Sequence, residues 1–344
     1  MKKLLLILLL LLVLGGGIVA WLLLGSGTAF SANKEYVYIR SNAANKQAVL
    51  DSLKANGIVS SPALFDWVAA RMNYWSHIKP GKYEIDKGSS ILTIVRILRN
   101  GRQTPVNLTI NKLRTKEDFA RMIGNRFETD SLEMIRFLNS ADSLKTYDVD
   151  TVTALSLVLP DTYTYFWNSS PQTILKKMAE ASNEFWTEER LQKATAHGLS
   201  KIEAYTLASI IEEETNKDAD KGNIASVYLN RIHKGMPLQA DPTIKFAMRN
   251  FALKRIYEKY LFVPSPYNTY RNKGLPPGPI CTPGKNTLNA VLDAPSTDYL
   301  YFVASSKSLG SHDFSVTYEE HMQKARAYQS WLNRQDSIRK ASQP

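Results

Sequence analysis

The sequence is almost without cysteine. Cys281 stands alone, so no intramolecular disulfide can form, and cysteine usage assigns no compartment. The five histidines (His77, His197, His233, His312 and His321) fall into no HxxxH pattern, and there is no CxxC pair. Neither a metal site nor any other cofactor is therefore expected. No internal repeat is present. Acidic residues are the minority, 32 against 43 basic ones, and the net charge of +11 suits an anionic partner: membrane headgroups, a cell-wall polymer or nucleic acid. Nucleic acid fits least, because no basic stripe with interleaved aromatics and no recognition motif accompanies the charge.

What the sequence does have begins at its N-terminus. Met1-Lys2-Lys3 precedes LLLILLLLLVLGGGIVAWLLL, residues 4–24, a run without charge. As a helix it spans about 30 Å, the thickness of bilayer hydrocarbon. Signal-peptide cores are shorter, so the reading is a retained transmembrane helix over 4–24. Residues 1–3 are then a cytoplasmic tail, and the bulk of the chain faces the periplasm or exterior from a single-pass inner-membrane anchor. GSGTAFSANK, residues 25–34, is small and polar and reads as a linker.

The 344 residues are 44% hydrophobic, enough for two cores, and the patterning is α+β. Strand-like YVYIR (36–40), helix-like 46–57, 61–72 and 89–101, and short strands in 79–85 and 104–110 make a small module over 35–110. A larger domain over 111–335 follows. Helices are expected at 116–127, 131–140, 171–184, 187–197, 201–215, 223–235 and 317–333, with a strand at 299–305. NKDADKGN reads as a charged turn, the chain beyond 235 as loop-rich, and 336–344 as a flexible tail.

SIIEEETN, residues 209–216, is the stretch that points to chemistry. Ser200 and Glu203 form an S-x-x-E capping box that opens its helix, and Ala204, Leu207, Ile210 and Ile211 define the apolar stripe. On the helical wheel Glu214 lies within ~25–35° of the stripe's centre, while Glu212 and Glu213 lie more than ~100° away. Glu213 reads as a solvated face, and the spacing leaves Glu212 ambiguous. Glu214 stands where leucine would be expected. A core-facing carboxylate is costly unless paired or protonated. It is either in a buried ion pair, for example with Arg231 on the next helix, or a desolvated acid with a raised pKa.

ASIIEEETNKDADKGNIASVYLNRIHKGMPLQADPTIKFAM (208–248) and YNTYRNKGLPPGPICTPG (267–284) resemble the MltG (YceG-like) family of endolytic murein transglycosylases. LPDTY (159–163), YLYFVAS (299–305) and GSHDFSVTYEEH (310–321) fit it in order. The resemblance implies a LysM-like module over 35–110, a YceG-like catalytic domain, and a peptidoglycan substrate cut within the strand at the MurNAc-β-1,4-GlcNAc bond. It also implies 1,6-anhydroMurNAc products, a role in terminating or trimming nascent strands, and cell-wall synthases (penicillin-binding proteins) as partners. It makes Glu214 catalytic, and this chain has Glu213 where the family usually has lysine. Supporting candidates are Glu212, Gln239, Asp241, Thr243, Tyr267 and Asn268. Each polar loop residue among them is also a plausible turn former. Tyr163, Trp167 and Tyr270 could stack on sugars or pack in the core. Two other classes remain open: a non-catalytic glycan-binding scaffold, and a water-using muramidase with Glu212 or Asp241 as second acid.

Overall fold

The structure, a computed structural model, describes residues 2–341. The chain forms two compact units. One takes the chain up to Leu108 with Ile123–Asp130 and Thr164–Ser170. The other takes Thr109–Met122, Ser131–Tyr163 and the chain from Pro171 on.

In the first unit, α1 (Lys2–Leu24) is a single helix whose side chains from Leu4 to Leu14 are exposed. Over the described residues alone, no helix is long and apolar enough to cross a membrane. The expected span at 4–24 includes positions 18, 19 and 22, whose side chains lie outside the described residues. β1 (Lys34–Ile39) pairs antiparallel with β2 (Gly81–Asp86), Val37 opposite Tyr83, and α2 (Lys46–Ala55) and α3 (Pro62–Arg71) connect them. Ser61 caps α3, and Pro62 occupies its first turn, where the missing N–H costs nothing. α4 (Ile91–Asn100) is capped by Ser90 and ended by Gly101 in the left-handed conformation, φ 71°. Val37, Phe65, Tyr83, Ile85, Ile94 and Leu98 are fully buried at its core.

The expected linker is not loose. Gly27 N–H donates to Ser89 O (2.9 Å), Ser60 N–H donates to Gly27 O (2.8 Å), and Thr28 bridges Val59. A β-carbon at Gly27 would sit 2.7 Å from the backbone N of Ile91, so only glycine allows this approach.

β3 (Val106–Thr109) pairs with β4 (Thr162–Tyr165). Helices α5 (Lys116–Gly124), α6 (Ser131–Leu138) and α7 (Ala141–Leu144) precede β4. After it come α8 (Pro171–Phe185), α9 (Glu188–Ala196), α10 (Lys201–Glu214) and α11 (Asp218–His233). The anticipated capping box opens α10: Glu203 N–H donates to Ser200 Oγ, and Ser200 N–H donates to Glu203 Oε2 (2.8 Å). Every residue of α10 from Ala204 to Ile211 is buried, so it is the second unit's central helix and not a one-faced surface helix.

α11 starts five residues before its expected start. Asp220, read as part of a turn, is buried in its first turn, where it accepts from His312 N–H (2.8 Å) and pairs with the His312 ring (2.9 Å). The loop-rich stretch also holds two unanticipated helices, α12 (Asp241–Ala247) and α13 (Lys285–Leu292), and α13 packs on both α10 and α11. β5 (Tyr301–Ala304) and β6 (His312–Ser315) form an antiparallel pair. It packs against α14 (Tyr318–Ala341), which carries residues 336–341 of the expected flexible tail as helix; 342–344 lie outside the described residues. Among the described residues, three two-stranded sheets and the helices make the fold a mixed α and β one.

Candidate active site

α10 ends on its three glutamates, and because the helix is enclosed, none of the three faces open solvent. Their partners separate them. Glu213, expected on a solvated face, is only 14% exposed and is held by Lys112 (3.0 Å) and by the guanidinium of Arg114 (2.9 Å). Burial pushes its carboxyl up, but these two cations prevail and hold it below the usual carboxylate range. Glu212 accepts from the Thr287 hydroxyl and lies 3.5 Å from the Lys221 ammonium, which joins α10 to α11 and α13.

Glu214 differs from both. Its Oε1 accepts a 2.6 Å bond from the Tyr228 hydroxyl of α11, and among the described residues no cation pairs with it. The carboxyl is half-buried and its pKa is pushed up to about 7. Burial is the main cause. The Tyr228 bond opposes it, nearby Asp241 raises the pKa further, and Lys245 and Arg231 pull it down. Arg231 does not make the ion pair considered above: it is buried and donates to the carbonyls of Leu300 (2.7 Å) and Leu238 (2.7 Å).

Glu214 opens on a cavity of about 300 Å³, lined also by Tyr228, Arg231, Gln239, Asp241, Tyr270 and, from the C-terminal hairpin and helix, Phe302 and His321. Gln239 and Asp241 are thus brought to the carboxyl. Gln239 sits in the left-handed region, φ 55°, an unfavourable conformation for a side-chain-bearing residue. Its N–H donates to Thr269 O (3.1 Å). Thr243 is fully buried behind this loop: its hydroxyl donates to Ala240 O (2.7 Å) and bonds the Thr269 hydroxyl (2.9 Å). Thr243 therefore holds the loop and does not line the cavity. Asp241 accepts from the Tyr270 hydroxyl (2.6 Å), which fixes both groups at the rim.

Glu212 is, like Thr243, not among the residues that line this cavity, and two further candidates lie elsewhere. Asn268 is fully buried, its amide donating to the carbonyls of Leu261 (2.9 Å) and Val263 (2.8 Å). Tyr267 lines a different cavity with Phe246 and Arg249. Of the aromatic candidates only Tyr270 reaches the cavity. Tyr163 is buried with its hydroxyl on Leu159 O (2.8 Å), and Trp167 packs edge-on to Tyr38. Tyr228, Phe302 and His321 were not singled out by the sequence. Tyr228 carried a signal, since a tyrosine on an apolar helix face needs a partner for its hydroxyl. The described residues hold no group of His, Cys, Asp and Glu placed to bind a metal ion.

A desolvated carboxyl with only a neutral donor beside it, at the wall of a polar cavity, can give up a proton near neutral pH. Known proteins resemble this chain over most of its length. An "Endolytic murein transglycosylase" of Bacillus subtilis is 32% identical over 83% of this chain and 82% of its own length. One of Streptococcus pneumoniae is 27% identical over 79% of this chain, which spans only 55% of that protein. A solved YceG-like protein of Listeria monocytogenes, 28% identical, superposes with a TM-score of 0.56 over 85% of this chain and 99% of its own. The YceG-like family pattern matches residues 37–327, and the chain belongs to that family.

Proposed function

We propose that this protein is an endolytic murein lytic transglycosylase in which Glu214 serves as acid and then as base. The observation that carries the reading is the Glu214 carboxyl itself, with no cationic partner among the described residues and a pKa near 7, in a cavity lined by hydrogen-bonding groups. Protonated Glu214 donates to the glycosidic oxygen as the C1–O bond breaks. The carboxylate then takes the proton of the muramic acid C6 hydroxyl as that oxygen bonds to C1 of the same sugar. The nucleophile is already part of the substrate, so no ordered water is needed.

A water-using muramidase is the second reading, and one observation favours it: Asp241 shares the cavity and could act as the second carboxylate. Its bond from Tyr270 and its place at the rim support the first reading instead. Mass spectrometry of peptidoglycan digests separates the two. Anhydro ends support the lytic reading, ends one water heavier mean hydrolysis, and no cleavage favours a scaffold.

Membrane attachment belongs to the same proposal. The uncharged run at 4–24 and the exposed leucines of α1 support a tether with the remaining chain outside the cytoplasm. The β-α-α-β order of the first unit supports a LysM-like module that binds glycan. Flotation with liposomes before and after removal of residues 1–24 tests the tether; equal flotation would refute it.

A further inference from the structure

His321, in the first turn of α14, lines the cavity of Glu214 together with Tyr228, Asp241 and Tyr270. Its ring stacks on Tyr301 of β5, centroids 5.3 Å apart at 24°, and lies 6.3 Å from the Tyr318 ring on its own helix. The two ring nitrogens have different surroundings. Nδ1 is buried and meets no hydrogen-bond partner. Nε2 is not among the buried unpartnered atoms and makes no bond to the described residues, so it is the ring nitrogen left free for a ligand in the cavity that His321 lines.

An unsatisfied buried nitrogen constrains the proton. A buried N–H without an acceptor is the rarer and costlier orphan, whereas an unused lone pair is better tolerated. The favoured tautomer therefore keeps the lone pair on buried Nδ1 and the proton on Nε2. The imidazolium would need an acceptor at both nitrogens and has one at neither among the described residues. Burial and the positive charges of Arg231 and Lys324 also hold the ring below the ordinary histidine value of 6.5. The other ionisable groups sharing the cavity are Glu214, Asp241, Tyr228 and Tyr270.

Resting on the lytic reading above, we propose that His321 is a substrate-binding residue: a neutral imidazole whose Nε2–H donates to a carbonyl or hydroxyl oxygen of the N-acetylated sugar lying beside Glu214. Neutrality is part of the role. Arg231 and Lys245 already pull the Glu214 pKa down, and a charged ring at His321, inside the cavity, would pull it further and discharge the acid at neutral pH. A neutral donor binds the sugar without that effect.

The test uses the full chain in detergent micelles. ¹⁵N-histidine NMR reads the tautomer directly, and the expected state at neutral pH is neutral with the proton on Nε2. Adding an N-acetylglucosamine tetramer to the uncleaving Glu214→Gln form should shift the Nε2 resonance. His321→Ala should weaken that oligomer's binding ~10-fold, as loss of a hydrogen bond at a bound sugar would. His321→Gln, which keeps a side-chain N–H donor, should recover most of it. His321→Lys should move the alkaline limb of the wild-type rate profile to lower pH. An Nδ1–H tautomer, an imidazolium at neutral pH, or a folded His321→Ala protein that binds the oligomer as well as its parent would overturn the proposal. The tautomer is read on the unmutated ring, so it decides even where a variant folds poorly. If the wild type yields hydrolysed ends, the lytic reading fails while the binding results still judge His321.

Discussion

Glu213 and Glu214 are neighbours on one helix and have opposite electrostatic fates. Glu213 meets Lys112 and Arg114 and is held ionised. Glu214 meets the neutral hydroxyl of Tyr228 and is held protonated up to about pH 7. Both leave solvent, so burial alone does not make an acid; the absence of a compensating cation does. One carboxylate fastens α10, and the next is kept costly to ionise where that cost is chemically useful.

The largest effect expected from breaking this contrast is at Glu214. Glu214→Gln should lower kcat by ~10²–10⁴-fold, the range for loss of a positioned acid. It should not unfold the protein. The folded pKa lies above the unfolded one, so the stability carried by the protonated carboxyl is fully present below the ordinary 4.5 and is lost as pH rises from there to about 7, with no further change above. That loss is up to about 3 kcal/mol and less where the carboxyl meets water. The variant should therefore gain on the parent in melting temperature between pH 4 and neutral pH and keep that gain above it, and calorimetry at pH 4 and 8 checks the sign.

Tyr228→Phe comes next. The hydroxyl lowers the Glu214 pKa, so its removal should move the alkaline limb of kcat/KM to higher pH, with a several-fold rate loss. An unmoved limb would mean that the bond does not tune the acid. Glu213→Gln should act on stability instead. It strands Lys112 and Arg114 and should cost about 1–3 kcal/mol at neutral pH, seen in urea titrations. Because the Glu213 pKa is depressed on folding, its contribution is present above the ordinary carboxylate value and fades as pH falls through the depressed one. Tyr267→Phe should do least: it lines the other cavity, and kcat/KM should stay within about two-fold.

The same pair shows what was legible in the sequence. The capping box and the apolar spacing place α10 and turn Glu214 inward, because both are local signals. The wheel misplaces Glu213, since it assumes one buried face, and α10 is enclosed by elements distant in sequence. Lys112 and Arg114 lie about a hundred residues upstream of Glu213 and leave no local trace. Gln239 and Asp241 line the cavity, and the stretch that reads as a polar loop hides the short helix α12. Thr243 and Asn268 look alike in sequence and prove to be internal ties, because their partners are backbone carbonyls that no pattern specifies. His321 arrives only through the β5–β6 hairpin and α14.

The most direct measurement is the titration of Glu214 itself, by ¹³C NMR of glutamate side-chain carboxyls, with Glu214→Gln to assign the resonance. The account predicts a midpoint of about 7, well above the ordinary 4.5. A midpoint at the ordinary value would mean that the carboxyl is ionised at neutral pH, and its role as the proton donor would be wrong.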